Sequence, residues 1–131
     1  MITTLIASLA LSIDMTPLER AIWKVETNCR TGEIWGDNNT SAGAFQIGAL
    51  YFQDSGIKGK WPQAVFDLDT SVLCFRGYMK RYAKPHRIPE GMSVEEFKAR
   101  SHVGGPRGPF RKSSLPYWNK VKAELEKASN E

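Results

Sequence analysis

Apolar residues recur at helical spacing along several stretches of the chain, and turn formers crowd the interval after the first of them. Leu18, Ala21, Ile22 and Val25 fall on one face of a helix that Thr16-Pro17-Leu18-Glu19 opens. Those four residues supply a capping hydroxyl, a proline in the first turn and a carboxylate placed to close a capping box. The pattern predicts an end near Val25 or Glu26. Beyond it the periodicity stops: Gly32, Gly36, Asp37, Asn38, Asn39, Ser41 and Gly43 surround Ile34 and Trp35, which predicts a short, irregular β-hairpin. Residues 44–47 lead into a short helix around 49–54. Val65, Leu68, Val72, Phe75 and Met79 predict a longer core-facing helix starting near Pro62 and bounded by Pro85. Ser93-Val94-Glu95-Glu96 is a second capping box, opening a helix that stops before Gly104-Gly105-Pro106. Leu115, Trp118, Val121 and Leu125 mark the buried side of a last helix over about 115–127. The expectation is one α+β domain over 1–131, mostly helical, with a small hairpin after the first helix.

Composition supports a single folded unit. At 131 residues, 41% apolar and 24% charged, the chain can build one real core and has no fibrous or disordered bias. Eighteen Lys and Arg against 14 Asp and Glu leave a net charge of +4, which favours polyanionic partners such as nucleic acid, anionic membranes or bacterial wall without choosing among them. Basic residues thicken at Lys80, Arg81, Lys84, His86 and Arg87 and again at Arg107, Arg111 and Lys112, where a solvated face is the default reading. Cys29 and Cys74 allow one disulfide or two free thiols, and so fix no redox compartment. Residues 2–13 are apolar but too short to span a bilayer, and no positive charge precedes them. Residues 1–14 are therefore either a signal peptide or an additional N-terminal helix.

Among the titratable residues, Glu26 and Asp37 form the pair with chemical promise. Glycoside hydrolysis needs two carboxyl groups on opposite sides of the scissile bond, one donating a proton and one remaining charged. Glu26 ends an apolar helix, where the helix dipole opposes negative charge, and Asp37 lies in the polar turn region that can fold back to face it. Glu33 is the alternative partner. No phosphate loop or metal-ligand cluster is present in the sequence, so no cofactor and no metal are expected.

The surroundings of that pair resemble a known family. Val25-Glu26-Thr27-Asn28-Cys29-Arg30, Gly36-Asp37 and Ser41-Ala42-Gly43-Ala44-Phe45-Gln46-Ile47 are similar to the catalytic segment of the invertebrate-type (i-type) lysozymes, the destabilase family. The likeness continues through Tyr51, Asp54, Gly56 and Trp61. It is closest over Cys74-Phe75-Arg76-Gly77-Tyr78-Met79-Lys80-Arg81-Tyr82-Ala83, resumes at Ala99-Arg100-Ser101-His102-Val103-Gly104-Gly105-Pro106-Arg107-Gly108 and ends at Tyr117-Trp118-Asn119-Lys120. It covers about residues 22–121, with the motifs in the family's order.

The resemblance implies a lysozyme-like fold and a muramidase that cuts the β-1,4 bond between N-acetylmuramic acid and N-acetylglucosamine. Glu26 falls on the family's general acid and Asp37 on its second carboxylate, the latter across a gap of about one residue. Phe45, Gln46 and Tyr51 would lie along the sugar cleft, with His102, Gly104 and Gly105 in its wall. The implied partner is peptidoglycan, with no nucleic acid and no integral membrane association; oligomeric state is not legible. Ser41 and His102 are the nearest matches to the Ser and His of the isopeptidase activity described for some relatives, but no nucleophile-elbow pattern surrounds Ser41. The departures are Ala42 and Trp23, where the family has cysteine, and Val103, where it has Asn. With most of the family's disulfides lost, the chain resembles a bacterial, phage or viral relative, acting in the periplasm, extracellularly or as a virus-associated lysin. Two other functions fit parts of the pattern. A lytic transglycosylase would work with one Glu and leave an anhydro-sugar, and a wall-binding or virion structural protein would keep the fold without turnover.

Overall fold

The computed structural model describes residues 13–130. The reading of residues 1–14 as signal or helix lies almost wholly outside them. Five α-helices surround a small antiparallel meander in the described chain. α1 (Pro17–Thr27) follows the capping box: Thr16 Oγ1 accepts from the Glu19 N–H at 3.2 Å, and Glu19 Oε1 accepts from the Thr16 N–H at 2.8 Å. Asn28, in the left-handed region at φ 57°, ends the helix, its N–H reaching back to the Lys24 and Trp23 carbonyls.

The expected hairpin is a three-stranded meander of two-residue strands, β1 (Trp35–Gly36), β2 (Ser41–Ala42) and β3 (Ile47–Gly48). Trp35 pairs with Ala42, and Ala42 with Ile47. The chain can turn this tightly because Asp37, Asn38 and Asn39 all adopt positive φ, at 51°, 55° and 66°. Asp and Asn are the non-glycine residues that tolerate that region best. Gly43, at φ 82°, is required twice over, since a Cβ there would collide with the Val65 carbonyl.

α2 (Ala49–Ser55) follows as expected. The helix expected from Pro62 is instead divided: a 3₁₀ turn over Gln63–Phe66 precedes α3 (Leu68–Tyr82). The reason is Asp67, whose extended backbone breaks the helical run and whose carboxylate caps α3, accepting from the Thr70 N–H at 2.9 Å. Apolar periodicity runs straight through this boundary, so the stripe alone conceals it. α4 (Val94–Gly104) starts at Ser93 with half of the expected box: Ser93 Oγ accepts from the Glu96 N–H, while the Glu96 carboxylate turns to Arg100 at 2.7 Å. α5 (Leu115–Ser129) closes the fold.

α5 packs on α1 and α4, and α2 packs on α3. Ile22, Phe45, Ile47, Val72 and Val121 are fully buried between them, each contributing on the order of 2 kcal/mol through burial. Arg100 is itself buried and clasps the start of α5, donating to Ser114 Oγ at 2.8 Å and to the Arg111 carbonyl at 2.8 Å. Cys29 is exposed, Cys74 is buried in α3, and both are free thiols. Ala42 is fully buried, and Trp23 packs half-buried against the core. No helix among the described residues is long and apolar enough to cross a membrane.

Candidate active site

The last turn of α1 delivers Glu26 to the point where α2, α4, α5 and the meander converge. Its neighbour Thr27 is buried and donates to the Ala44 carbonyl at 2.9 Å, tying the helix end to the loop between β2 and β3. The next residue in that loop, Phe45, offers its carbonyl to His102 Nε2 at 3.0 Å. Two consecutive carbonyls thus hold the ends of α1 and α4 together.

Glu26 is mostly enclosed, its side chain 16% exposed. Its Oε2 accepts from the Tyr117 hydroxyl at 2.8 Å and lies 3.2 Å from His102 Nε2. Because the Phe45 carbonyl can only accept, Nε2 carries a hydrogen and donates it there, with Glu26 Oε2 beside it but outside hydrogen-bond geometry. In the Nε2–H tautomer, Nδ1 accepts from the Tyr51 hydroxyl, 2.8 Å away. Burial, then the neighbouring Tyr78, Cys74 and Glu26, push the Tyr51 phenol well above its ordinary range. Burial, reinforced by the charge and hydrogen bond of Glu26, does the same for Tyr117. Both hydroxyls therefore stay protonated donors. No Lys or Arg pairs with Glu26 among the described residues.

Asp37 sits exposed in the β1–β2 turn. Its Oδ2 accepts from Ser41 Oγ at 2.9 Å and its carbonyl from Thr40 Oγ1 at 2.6 Å, so the carboxylate is aimed by its own turn. Glu33 is exposed and accepts from Trp35 Nε1 at 3.1 Å. Asn39 and Thr40 of the Asp37 turn share a largely apolar groove of about 480 Å³ with Leu50, Tyr51 and Trp61.

The remaining expected cleft residues divide. Tyr51 lines this groove, stacks on Tyr78 at 3.8 Å between centroids, and bonds His102. His102 lies deeper than a cleft wall, buried in contact with Glu26. Phe45 corrects the expectation: its ring is fully buried against Phe75 and His102, so it has no face for a sugar, and its contribution is the carbonyl. Gln46 points beneath the hairpin, its amide donating to the Gly43 and Ile34 carbonyls at 3.0 and 3.3 Å, which braces the turn region. Gly104 ends α4 and Gly105 caps it at φ 78°. Ser41 and His102 are not brought together, since the serine hydroxyl serves Asp37 and the imidazole serves Tyr51, Phe45 and Glu26. Among the described residues no group of three or more His, Cys, Asp or Glu is placed to hold a metal ion.

The sequence pattern assigns Tyr117 no role, although the family likeness passes through it. It lies 91 positions from Glu26, and its place beside the buried Trp118 gives no sign that its hydroxyl turns toward the site.

No family model matches the chain. Among curated relatives, Lysozyme 1 of Crassostrea virginica is 39% identical over 107 residues, 80% of this chain and 56% of that protein, so this chain spans little more than half of its length. Invertebrate-type lysozyme 6 of Caenorhabditis elegans is 33% identical over 79% of this chain and 81% of its own. Among solved structures, the Meretrix lusoria lysozyme in complex with Aeromonas hydrophila PliI superposes with a TM-score of 0.72 at 34% identity, covering 83% of this chain and 88% of that one.

Proposed function

The chain belongs to the invertebrate-type lysozyme family of glycoside hydrolases, and from that premise we propose that it is a muramidase with Glu26 as acid and Asp37 as partner carboxylate. Its substrate on this reading is peptidoglycan, cut at the β-1,4 bond from N-acetylmuramic acid to N-acetylglucosamine. The observation that carries it is the setting of Glu26: enclosed, uncompensated by any cation among the described residues, and supplied with donors at one oxygen only. A carboxyl so placed is free to hold a proton on Oε1 and deliver it.

The proton passes from Oε1 to the glycosidic oxygen as the C1–O bond breaks, and the bonding pair leaves with that oxygen. The Glu26 carboxylate that results already has Tyr117 donating to Oε2, with the His102 imidazole 3.2 Å from the same oxygen. Asp37 acts at the opposite face of C1, either attacking it or taking a proton from the water that does. In the first case one water then attacks C1, releasing the sugar from Asp37 and giving a proton to Glu26. The apolar groove between the Asp37 turn and Tyr51 suits the ring face and acetamido methyl of an N-acetylated sugar, and the +4 charge suits anionic wall. Action on peptidoglycan puts the site of work outside the cytoplasm.

Clearing of purified peptidoglycan by the wild type, Glu26→Gln and Asp37→Asn, with mass spectrometry of the products, tests this reading. Clearing with reducing-end muropeptides, lost in the Glu26 variant and strongly reduced in the Asp37 variant, is the expected result. Anhydro products would replace the hydrolase with a transglycosylase. Full activity in Asp37→Asn would remove that residue from the mechanism, and no clearing on several wall types would leave a binding role.

A further inference from the structure

Glu26 is held from one side only. Tyr117 of α5 and His102 of α4 both address Oε2, at 2.8 and 3.2 Å, and no hydrogen bond occupies Oε1 among the described residues. The His102 Nε2 hydrogen goes to the Phe45 carbonyl at 3.0 Å, which leaves Tyr117 as the side chain that hydrogen-bonds Oε2 among the described residues. The Tyr117 hydroxyl has Glu26 as its partner and sits where burial keeps it protonated. We propose that Tyr117 is a positioning residue that fixes which oxygen of Glu26 carries the catalytic proton, by donating to Oε2 and so leaving Oε1 to protonate the glycosidic oxygen.

The argument is one of donor accounting. An oxygen that already accepts from a hydroxyl, with an imidazole N–H 3.2 Å away, is a poor seat for a proton of its own, because that proton would face theirs. The acid proton is therefore excluded from Oε2 and confined to Oε1. The same hydrogen bond strengthens once the proton has left, since a hydroxyl bonds a carboxylate more tightly than a carboxylic acid. Tyr117 thus orients the acid before transfer and stabilises its conjugate base afterwards, which is the differential stabilisation that accelerates a step. The groups facing Glu26 are Tyr117 from α5 and His102 from α4, with Tyr51 of α2 behind the imidazole and Tyr78 and Cys74 of α3 behind Tyr51.

The inference rests on the muramidase reading, and Tyr117→Phe tests it separately because the ring stays and only the donor goes. The variant is expected to clear peptidoglycan with kcat lowered by roughly tenfold or more and KM little changed. Removing a donor to the carboxylate disfavours its charged form, so the alkaline limb of the pH–rate profile moves upward, by roughly half a pH unit or more. 3-Fluorotyrosine incorporated at position 117, a more acidic donor of nearly the same shape, moves that limb downward. A carbon-13 label in the Glu26 carboxyl, titrated in wild type and variant, reads the same shifts without turnover, so a failure of the hydrogen bond and a failure of the hydrolase reading are told apart. An unchanged kcat and limb in Tyr117→Phe, or an unmoved titration with 3-fluorotyrosine should the phenylalanine variant not fold, would overturn the proposal and leave Tyr117 a packing residue.

Discussion

Each end of α1 carries an enclosed glutamate, Glu19 buried and Glu26 mostly so, and the two are used in opposite ways. Glu19 sits in the first turn, where the helix dipole favours negative charge, and its oxygens take the Thr16 N–H and both Nε and Nη2 of Arg76 at 2.8–2.9 Å. Burial alone would raise its carboxyl, but the Arg76 hydrogen bonds and charge, with the Thr16 N–H, outweigh it and hold Glu19 below the ordinary carboxylate range. Two helical turns later, Glu26 faces the disfavouring end of the dipole with one hydroxyl donor on one oxygen and no arginine. A saturated, cation-paired carboxylate is a strut. A carboxyl with one oxygen held and one open is an acid. Burial and sequence neighbourhood barely separate the two; donor geometry does.

The comparison breaks first at activity. Glu26→Gln is expected to lower turnover by about 100-fold or more while shifting unfolding free energy by less than about 1 kcal/mol, whereas Glu19→Gln keeps activity per folded molecule. Paired turnover and denaturant curves on the two variants check this, and a reversed pattern would mean the roles are exchanged. Next comes the clasp behind the Glu26 end. Arg100→Ala leaves the Glu96 carboxylate and Ser114 Oγ without their donor and takes one of its donors from the Arg111 carbonyl, which should cost about 3 kcal/mol in urea unfolding. It should also lower activity, because α4 and α5 carry His102 and Tyr117.

Glu19→Gln should itself cost about 2 kcal/mol near neutral pH. Because the folded-state value of Glu19 is lowered, its contribution is fully present above the ordinary value of 4.5 and is lost as pH falls through the folded value. The stability gap between wild type and variant should therefore narrow only below about pH 4.5, as thermal melts across pH 2–7 would show. The smallest effect is expected at Ser101, whose buried hydroxyl finds no partner among the described residues. Ser101→Ala should be neutral or stabilising by up to about 1 kcal/mol, with unchanged clearing. A loss of stability there would reveal a hydrogen bond that the fold does not show.

Much of this was readable along the chain. The start of α1 was written in Thr16, Pro17 and Glu19, because capping chemistry is local and each partner lies within one turn. The ends of α4 at Ser93 and Gly105, and the placement of Glu26 in a last helical turn, were legible for the same reason. Where a local signal met a distant one, the reading failed. Glu96 was expected to complete a capping box and instead bonds the buried Arg100. The apolar stripe through Val65 and Leu68 hid the cap at Asp67. Phe45, expected at a sugar, is sealed into the core by Phe75 and His102.

By itself, then, the sequence determined the helices that cap themselves, the turn-rich stretch between α1 and α2, and the family to which the motifs belong, all carried by residues close together or in fixed order. Only the tertiary structure decided which side of Glu26 is held and by what. Tyr117 and His102 reach it from 91 and 76 positions away, Tyr51 acts through the imidazole, and the carbonyls of Ala44 and Phe45 bind the assembly. A hydrogen-bond direction across packed helices depends on where their axes cross, and no spacing within one helix encodes that.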